Sequence, residues 1–292
     1  MAKQLILHDT THVQIERFLS HPTHAVLLAG ADGSGKGSIA EHIVSSLLQV
    51  DPSTLAGNAH VMRLAPDGAS ISIESIRELQ KFLQLKTIGS QPLRRALIIE
   101  HAQALTTEAQ NAYLKLLEEP PEDTVMVLTV NSPRTLLPTM LSRLQTITVH
   151  SPTQAQLQPM LQASSKDEAT IRQAYFLSGG LPGLLSALID DDETHPLLES
   201  VTTAKEILQK SPFERLALVD TLSKQKETAT AVLEALDRIA QTGINGAATK
   251  EDITRLRQWH NIRKYTAAAR DEFARSANAK LILSNLFLHL PG

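Results

Sequence analysis

The chain has 292 residues, 42% of them hydrophobic, and 28 lysines and arginines stand against 31 aspartates and glutamates for a formal net charge of −3. This is enough apolar material to bury cores in two or three domains, and it excludes a global basic field that would draw in nucleic acid. The absence of cysteine excludes disulfides, cysteine-ligated zinc and iron–sulfur clusters, and 3% aromatic residues argue against base-stacking platforms.

The start, MAKQLILHDTTHVQIERF, has neither the apolar region nor the small-residue cleavage site of a secretory signal. No run of about 18 apolar residues would span a membrane. A soluble cytoplasmic protein is expected. His8 and His12 stand at i, i+4, a spacing that suits a metal, but no H-E-x-x-H pattern or acidic third ligand accompanies them. Solvation or N-terminal packing is the expected role. Short apolar runs follow at HAVLLAG (24–30), HVMRLA (60–65), RALIIE (95–100), TVMVLTV (124–130) and TITVH (146–150). Each is bounded by turn or polar residues, as buried parallel strands are. Helical patterns lie between them. Over 107–117, Ala109, Ala112, Tyr113, Leu116 and Leu117 fall on one helical face, with Thr107 and Gln110 as a capping box. Pro120 and Pro121 then end that helix. The alternation predicts a doubly wound α/β domain over 1–152.

Strand signals stop after residue 152. Residues 153–192 read as a small domain of two or three short helices, and DDDETHP (190–196) reads as a linker. Residues 198–292 are helical throughout, ending in an apolar stripe through Leu281, Leu283, Leu286, Phe287 and Leu290. Within 250–280, eight lysines and arginines face four acids. DNA or an acidic partner could meet that face, but a solvated amphipathic helix is the simpler reading, with Trp259 and Tyr265 in the core or an interface.

GADGSGKGS (30–38) sits between an expected strand and an expected helix. A phosphate cradle needs glycines, because backbone N–H groups must approach the phosphate oxygens closely. It needs a lysine to reach the β- and γ-phosphates, a hydroxyl for magnesium, and a helix N-terminus behind it. Gly30, Gly35 and Lys36 match G-x-x-x-x-G-K-[ST], with Gly33 as a further glycine. Position 37, where the hydroxyl belongs, is glycine. Ser38 follows one residue late, about 100° further round the helix. The alternative is a glycine-rich turn with a solvated lysine. An ATPase also needs an acid at the end of a neighbouring strand, usually aspartate, often followed by a glutamate that orients water. Glu100 and His101 stand there instead.

The stretch EAQNAYLKLLEEPPEDTVMVLTVNSPRTLLPTMLSR, running from Glu108 to Arg143, resembles the clamp-loader branch of the AAA+ proteins. Asn111 to Pro121 match that branch's N-A-L-L-K-x-L-E-E-P-P helix, and Thr139 to Arg143 match its T-x-x-S-R-C. The resemblance implies an AAA+ P-loop domain with a parallel sheet, a small helical lid and an all-α C-terminal collar that oligomerises. It places Asn131 at the first sensor and Arg143 at the arginine that reaches into a neighbouring subunit's ATP site. Leu144 replaces the cysteine. The second-sensor arginine is missing, its region being filled by Pro182, Gly183, Leu184 and Leu185. The family's Cys₄ zinc module is absent too. With Gly37, Glu100 and His101 also altered, the resemblance implies a subunit that turns over no ATP itself. It requires no cofactor, has room for weak ATP/Mg²⁺ binding at Lys36, and serves its neighbour through Arg143. The implied partners are a gamma/tau-like ATPase, a delta-like subunit, the sliding clamp and the backbone of primed DNA. Two other readings stay open: an active ATPase subunit of the same family, and a scaffold that has left replication.

Overall fold

All five apolar runs form strands in the computed structural model, which describes residues 5–68, 70–84, 91–163, 166–190, 195–274 and 278–291. They are β1 (Ala25–Ala29), β2 (Val61–Leu64), β3 (Arg95–Ile99), β4 (Thr124–Val130) and β5 (Gln145–Thr148). They make one sheet in the order β2-β3-β4-β1-β5, and every neighbouring pair is parallel. The inner strands β1, β3 and β4 are buried along their whole length, which is why they read as unbroken apolar runs. The edges β2 and β5 are partly exposed and carry Arg63, Gln145 and Thr148.

Among the described residues, four longer α-helices and one short one accompany the sheet: α1 (Asp9–Ser20), α2 (Lys36–Leu48), α3 (Ile73–Gln84), α4 (Thr107–Glu118) and α5 (Pro138–Leu141). Successive strand side chains point to opposite faces, so the sheet separates two cores. Leu27, Leu97, Ile99, Met126 and Leu128 pack with Ile76, Leu79, Tyr113 and Leu117 from α3 and α4. Val26, Leu28, Ile98, Val125 and Val127 pack with Ile15, Phe18, Ile39 and Ile43 from α1 and α2. The α/β fold class expected from the alternation is the one observed.

The cap of α4 differs from expectation by one residue. Thr106, not Thr107, is the N-cap, and its hydroxyl accepts the Ala109 N–H at 3.2 Å. Gln110 is 6% exposed and is used elsewhere. Its amide donates to Leu105 O at 3.2 Å and accepts the Leu137 N–H at 2.9 Å. Both threonines satisfy the composition rule; only the φ/ψ of the preceding loop selects between them.

The remaining helices are α6 (Gln154–Ala163), α7 (Glu168–Ser178), α8 (Pro182–Asp190), α9 (Pro196–Gln209), α10 (Pro212–Leu222), α11 (Lys226–Thr249), α12 (Ile253–Ala274) and α13 (Ala279–His289). Compactness divides the chain into two units, Met1–Leu157 and Gln158–Gly292. In the second, one continuous core takes Leu177 of α7, Leu181 of the turn that follows it and Leu184 of α8 together with Val201, Leu236, Phe273 and Phe287 from α9, α11, α12 and α13. Within the linker expected at 190–196, residues 191–194 lie outside the described residues.

The basic stretch falls on α12, which buries Ile262, Thr266, Ala269 and Phe273 and exposes the faces between them. Arg263 and Arg270 both reach Asp237 on α11, at 3.2 and 3.5 Å. Trp259 joins the core by lying against Gly243, where an added Cβ would come within 2.2 Å of the indole. Alanine gains about 1 kcal/mol over glycine in a helix interior, whereas overpacking of a filled contact costs about 1–3 kcal/mol. The clash involves a rigid ring and should win. Gly243→Ala is expected to lower unfolding free energy by about 1–2 kcal/mol, read by chemical denaturation. A stabilised variant would show that the two helices part freely.

Candidate functional site

The loop after β1 lies at the carboxyl ends of the parallel strands, where open α/β sheets hold their ligands. Gly30 donates its N–H to Val130 O at 3.1 Å, which ties the loop to the end of β4. A Cβ at Gly30 would stand 2.7 Å from Val149 O, so only glycine fits. Gly33 and Gly35 turn the chain through φ values of 77° and 88°, conformations that other residues adopt at a cost. Gly35 is the N-cap of α2, and Lys36 is its first residue. The loop therefore has the glycine turns and the helix N-terminus of a phosphate cradle.

Lys36 points into its own loop and is 6% exposed. Its ammonium donates to Gly30 O at 2.6 Å, Ala31 O at 2.8 Å and Asn131 Oδ1 at 3.1 Å. Asp32 Oδ1 stands 3.6 Å away. Asn131 Nδ2 donates to Asp32 Oδ2 at 2.7 Å, closing the ring of contacts. Burial pushes the Lys36 pKa below its ordinary value, and the Asp32 carboxylate opposes the shift. Gly30, Gly33, Gly35, Lys36 and Asn131, separated by up to 101 positions in the chain, thus meet as one cluster. Asp32 escaped the sequence reading. Its signal was present: one acidic side chain inside a glycine-rich loop, four residues before the lysine.

Glu100 and His101 follow the end of β3. Arg63 of β2 donates to Glu100 Oε1 at 3.0 Å and also pairs with Glu41 of α2. The carboxylate is therefore compensated by a fixed cation within the fold. His101 adopts a φ of 51°, donates its backbone N–H to Thr129 Oγ1 at 3.0 Å, and has its ring Nδ1 3.3 Å from Gln103 Nε2. Gln103 Oε1 also accepts the Asn131 N–H at 3.3 Å, so one glutamine links His101 to Asn131. Gly37 brings no oxygen, although a Cβ there would meet open space. The Ser38 side chain is on the exposed face of α2. These residues fit a magnesium–nucleotide poorly: one ligand oxygen is missing and the nearby acid already has a cationic partner.

Arg143 follows α5. Its guanidinium donates to Thr139 O at 2.9 Å and Ser142 Oγ at 3.2 Å, and it pairs with Glu118 at the end of α4 at 2.9 Å. These bonds hold it on the surface of its own unit, with its side chain 36% exposed. Leu144 beside it is buried in the core shared with α4, so the residue that replaces the family's cysteine serves packing. Leu184 and Leu185, where the resemblance expects the second sensor, are buried on α8.

Elsewhere, His8 accepts the Thr10 N–H at 3.2 Å as the N-cap of α1, and its ring packs on His150 at 5.4 Å. His12 is exposed beside Glu16. Among the described residues no group of three or more histidines or acids could hold a metal, and no helix is long and apolar enough to cross a membrane.

Residues 12–153 match the family model described as "DNA polymerase III, delta subunit". The chain is 34% identical over 178 residues to DNA polymerase III subunit delta' of Pseudomonas aeruginosa, covering 54% of this chain and 53% of that protein. It is 33% identical over 138 residues to the subunit of the same name from Bacillus subtilis, covering 43% of this chain and 41% of that one. The chain thus spans about half or less of the length of these two relatives. DNA polymerase III subunit gamma/tau of Mycobacterium tuberculosis is 31% identical over 153 residues, 47% of this chain and 26% of that protein. Among solved structures, a DNA polymerase III gamma subunit-related protein from Thermotoga maritima shares the fold, with a TM-score of 0.54 at 20% identity over 96% of this chain and 98% of that one.

Proposed function

We propose that this chain is a delta-prime-like clamp-loader subunit that hydrolyses no ATP itself and lends Arg143 to a neighbouring ATPase subunit, a reading supported by the match of residues 12–153 to the family model described as "DNA polymerase III, delta subunit". The observation that carries this reading is the contrast between two cations. Lys36 is buried with its three N–H donors committed to oxygens of its own domain. Arg143 is on the surface, held in place by one carboxylate, one carbonyl and one hydroxyl. The first arrangement suits a retired nucleotide site. The second suits an arginine supplied in trans, which stabilises charge on a phosphoryl group transferring in the neighbour's site.

On this reading the helical second unit carries the collar that closes a ring. The neighbours are a gamma/tau-like ATPase and a delta-like subunit, and the substrates of the assembly are a sliding clamp and primed DNA. Contacts to DNA run to the phosphate backbone, since the chain has neither a basic field nor aromatic platforms for reading bases. The chain works in the cytoplasm and requires no cofactor of its own.

The test is an affinity pull-down of the tagged protein from its host, read by mass spectrometry, beside an ATPase assay on the isolated chain. Recovery of an active AAA+ ATPase, a delta-like subunit and the clamp, with no hydrolysis by the isolated chain, is expected. The similarity to gamma/tau subunits favours one other reading, an active ATPase of the same assembly. Hydrolysis that disappears in Lys36→Ala would establish that alternative.

A further inference from the structure

In a working cradle the lysine and the loop N–H groups meet a negative charge brought by the nucleotide. Here a negative charge is built into the loop. Asp32 stands 3.6 Å from the Lys36 ammonium on one oxygen and accepts Asn131 Nδ2 at 2.7 Å on the other. Asn131 in turn accepts from Lys36 at 3.1 Å. An ammonium has three donors, and those of Lys36 already meet three oxygens at 2.6 to 3.1 Å. Ser34, in the same loop, is 4% exposed, and its hydroxyl has no hydrogen-bond partner.

We infer that Asp32 sets the nucleotide affinity of this site, its carboxylate standing in for the anion the loop is shaped to hold. A phosphate that enters must take Lys36 away from the Gly30 and Ala31 carbonyls and from Asn131, and it must sit beside a like charge that has no reason to leave. Neutralising Asp32 removes the repulsion and the ion pair together. The glycine turns and the α2 N-terminus remain, since neither uses the Asp32 side chain. This inference rests on reading the loop as a phosphate cradle and deepens the silent-site half of the proposed function.

The experiment is calorimetric titration of the full chain with ATPγS in the presence of Mg²⁺, on wild type, Asp32→Asn, Asp32→Gly and the double variant Asp32→Asn with Lys36→Ala. Hydrolysis of ATP is read separately on the same preparations. Both single variants are expected to bind at least tenfold more tightly than wild type, and the gain is expected to vanish in the double variant. The glycine variant keeps the test open should asparagine disturb the loop. Affinity that is unchanged or weaker in both single variants overturns the inference. So does a gain that survives loss of Lys36, or a wild-type chain that already binds in the low micromolar range. ATP hydrolysis by wild type would instead sink the non-hydrolysing reading, and the effect of Asp32 on affinity would still be read from the titration.

Discussion

Replacing Arg143 with alanine is expected to slow the ATPase of the assembled clamp loader at least tenfold while the isolated chain stays folded. The folding half follows from exposure. The side chain is 36% exposed, and its ion pair with Glu118 is of the kind worth about 0–1 kcal/mol. The catalytic half follows from what a guanidinium does at a transferring phosphoryl group, where an arginine finger accounts for about 10³–10⁵ in rate. The tenfold figure is a floor, because on the proposed function sites completed by other arginines in the assembly would keep turning over. Arg143→Lys should fall between wild type and alanine: it restores a charge but not the planar fork that grips two oxygens. Glu118→Gln is the useful companion. It removes the surface partner and leaves the Arg143 guanidinium, so it should change the rate little. Steady-state ATPase of the reconstituted assembly, with clamp and primed DNA present, reads all three. An unchanged rate for Arg143→Ala removes the trans role outright.

The largest expected effect on stability lies far from any nucleotide. Arg215→Met should destabilise the helical unit by about 3–5 kcal/mol, because it strands several buried carbonyls at about 1–3 kcal/mol each, less what water recovers. Arg215 is fully buried, and every hydrogen bond drawn from it ends on a backbone carbonyl. Nε donates to Ile207 O at 2.7 Å and Nη2 to Leu208 O at 3.2 Å, at the end of α9. Nη1 donates to Leu290 O at 2.8 Å and Nη2 to Pro291 O at 2.6 Å, just beyond α13. Burial pushes its pKa down, from a starting value so high that the charge is retained. One guanidinium therefore satisfies the orphan carbonyls of two helix ends and places a cation where both helix dipoles are negative. Methionine keeps the stem volume and loses all four bonds. Lysine cannot span both helix ends from a single nitrogen and should recover less than half of the loss. Chemical denaturation followed by far-UV circular dichroism measures the change. A loss below about 1 kcal/mol would mean that water replaces the guanidinium without cost.

The fold was legible wherever the pattern is local. Each strand of the sheet was marked by an apolar run bounded by polar or turn residues, and buried parallel strands must be apolar on both faces. The glycines of the loop, the helix that starts at Lys36 and the double proline that ends α4 each rest on backbone rules that act over a few residues. By itself the sequence therefore determined the α/β class, the position of the cradle and the candidate list of Gly30, Gly33, Gly35, Lys36, Glu100, His101, Asn131 and Arg143. It also carried enough of the clamp-loader pattern, from Glu108 to Arg143, to point to the family. What only the tertiary structure decided is how those residues are engaged. Lys36 turns inward because Asn131, 95 residues away, and Asp32 give its ammonium oxygens to meet. Glu100 is compensated because the strand order sets β2, with Arg63, beside β3. Arg215 is a keystone because two helix ends, one of them 75 residues away, converge on it. No local window of sequence pairs Lys36 with Asn131, Glu100 with Arg63 or Arg215 with Leu290. Burying a charge demands compensation, but composition cannot say which distant oxygen supplies it; that follows only when the packed elements bring the two groups within hydrogen-bond reach.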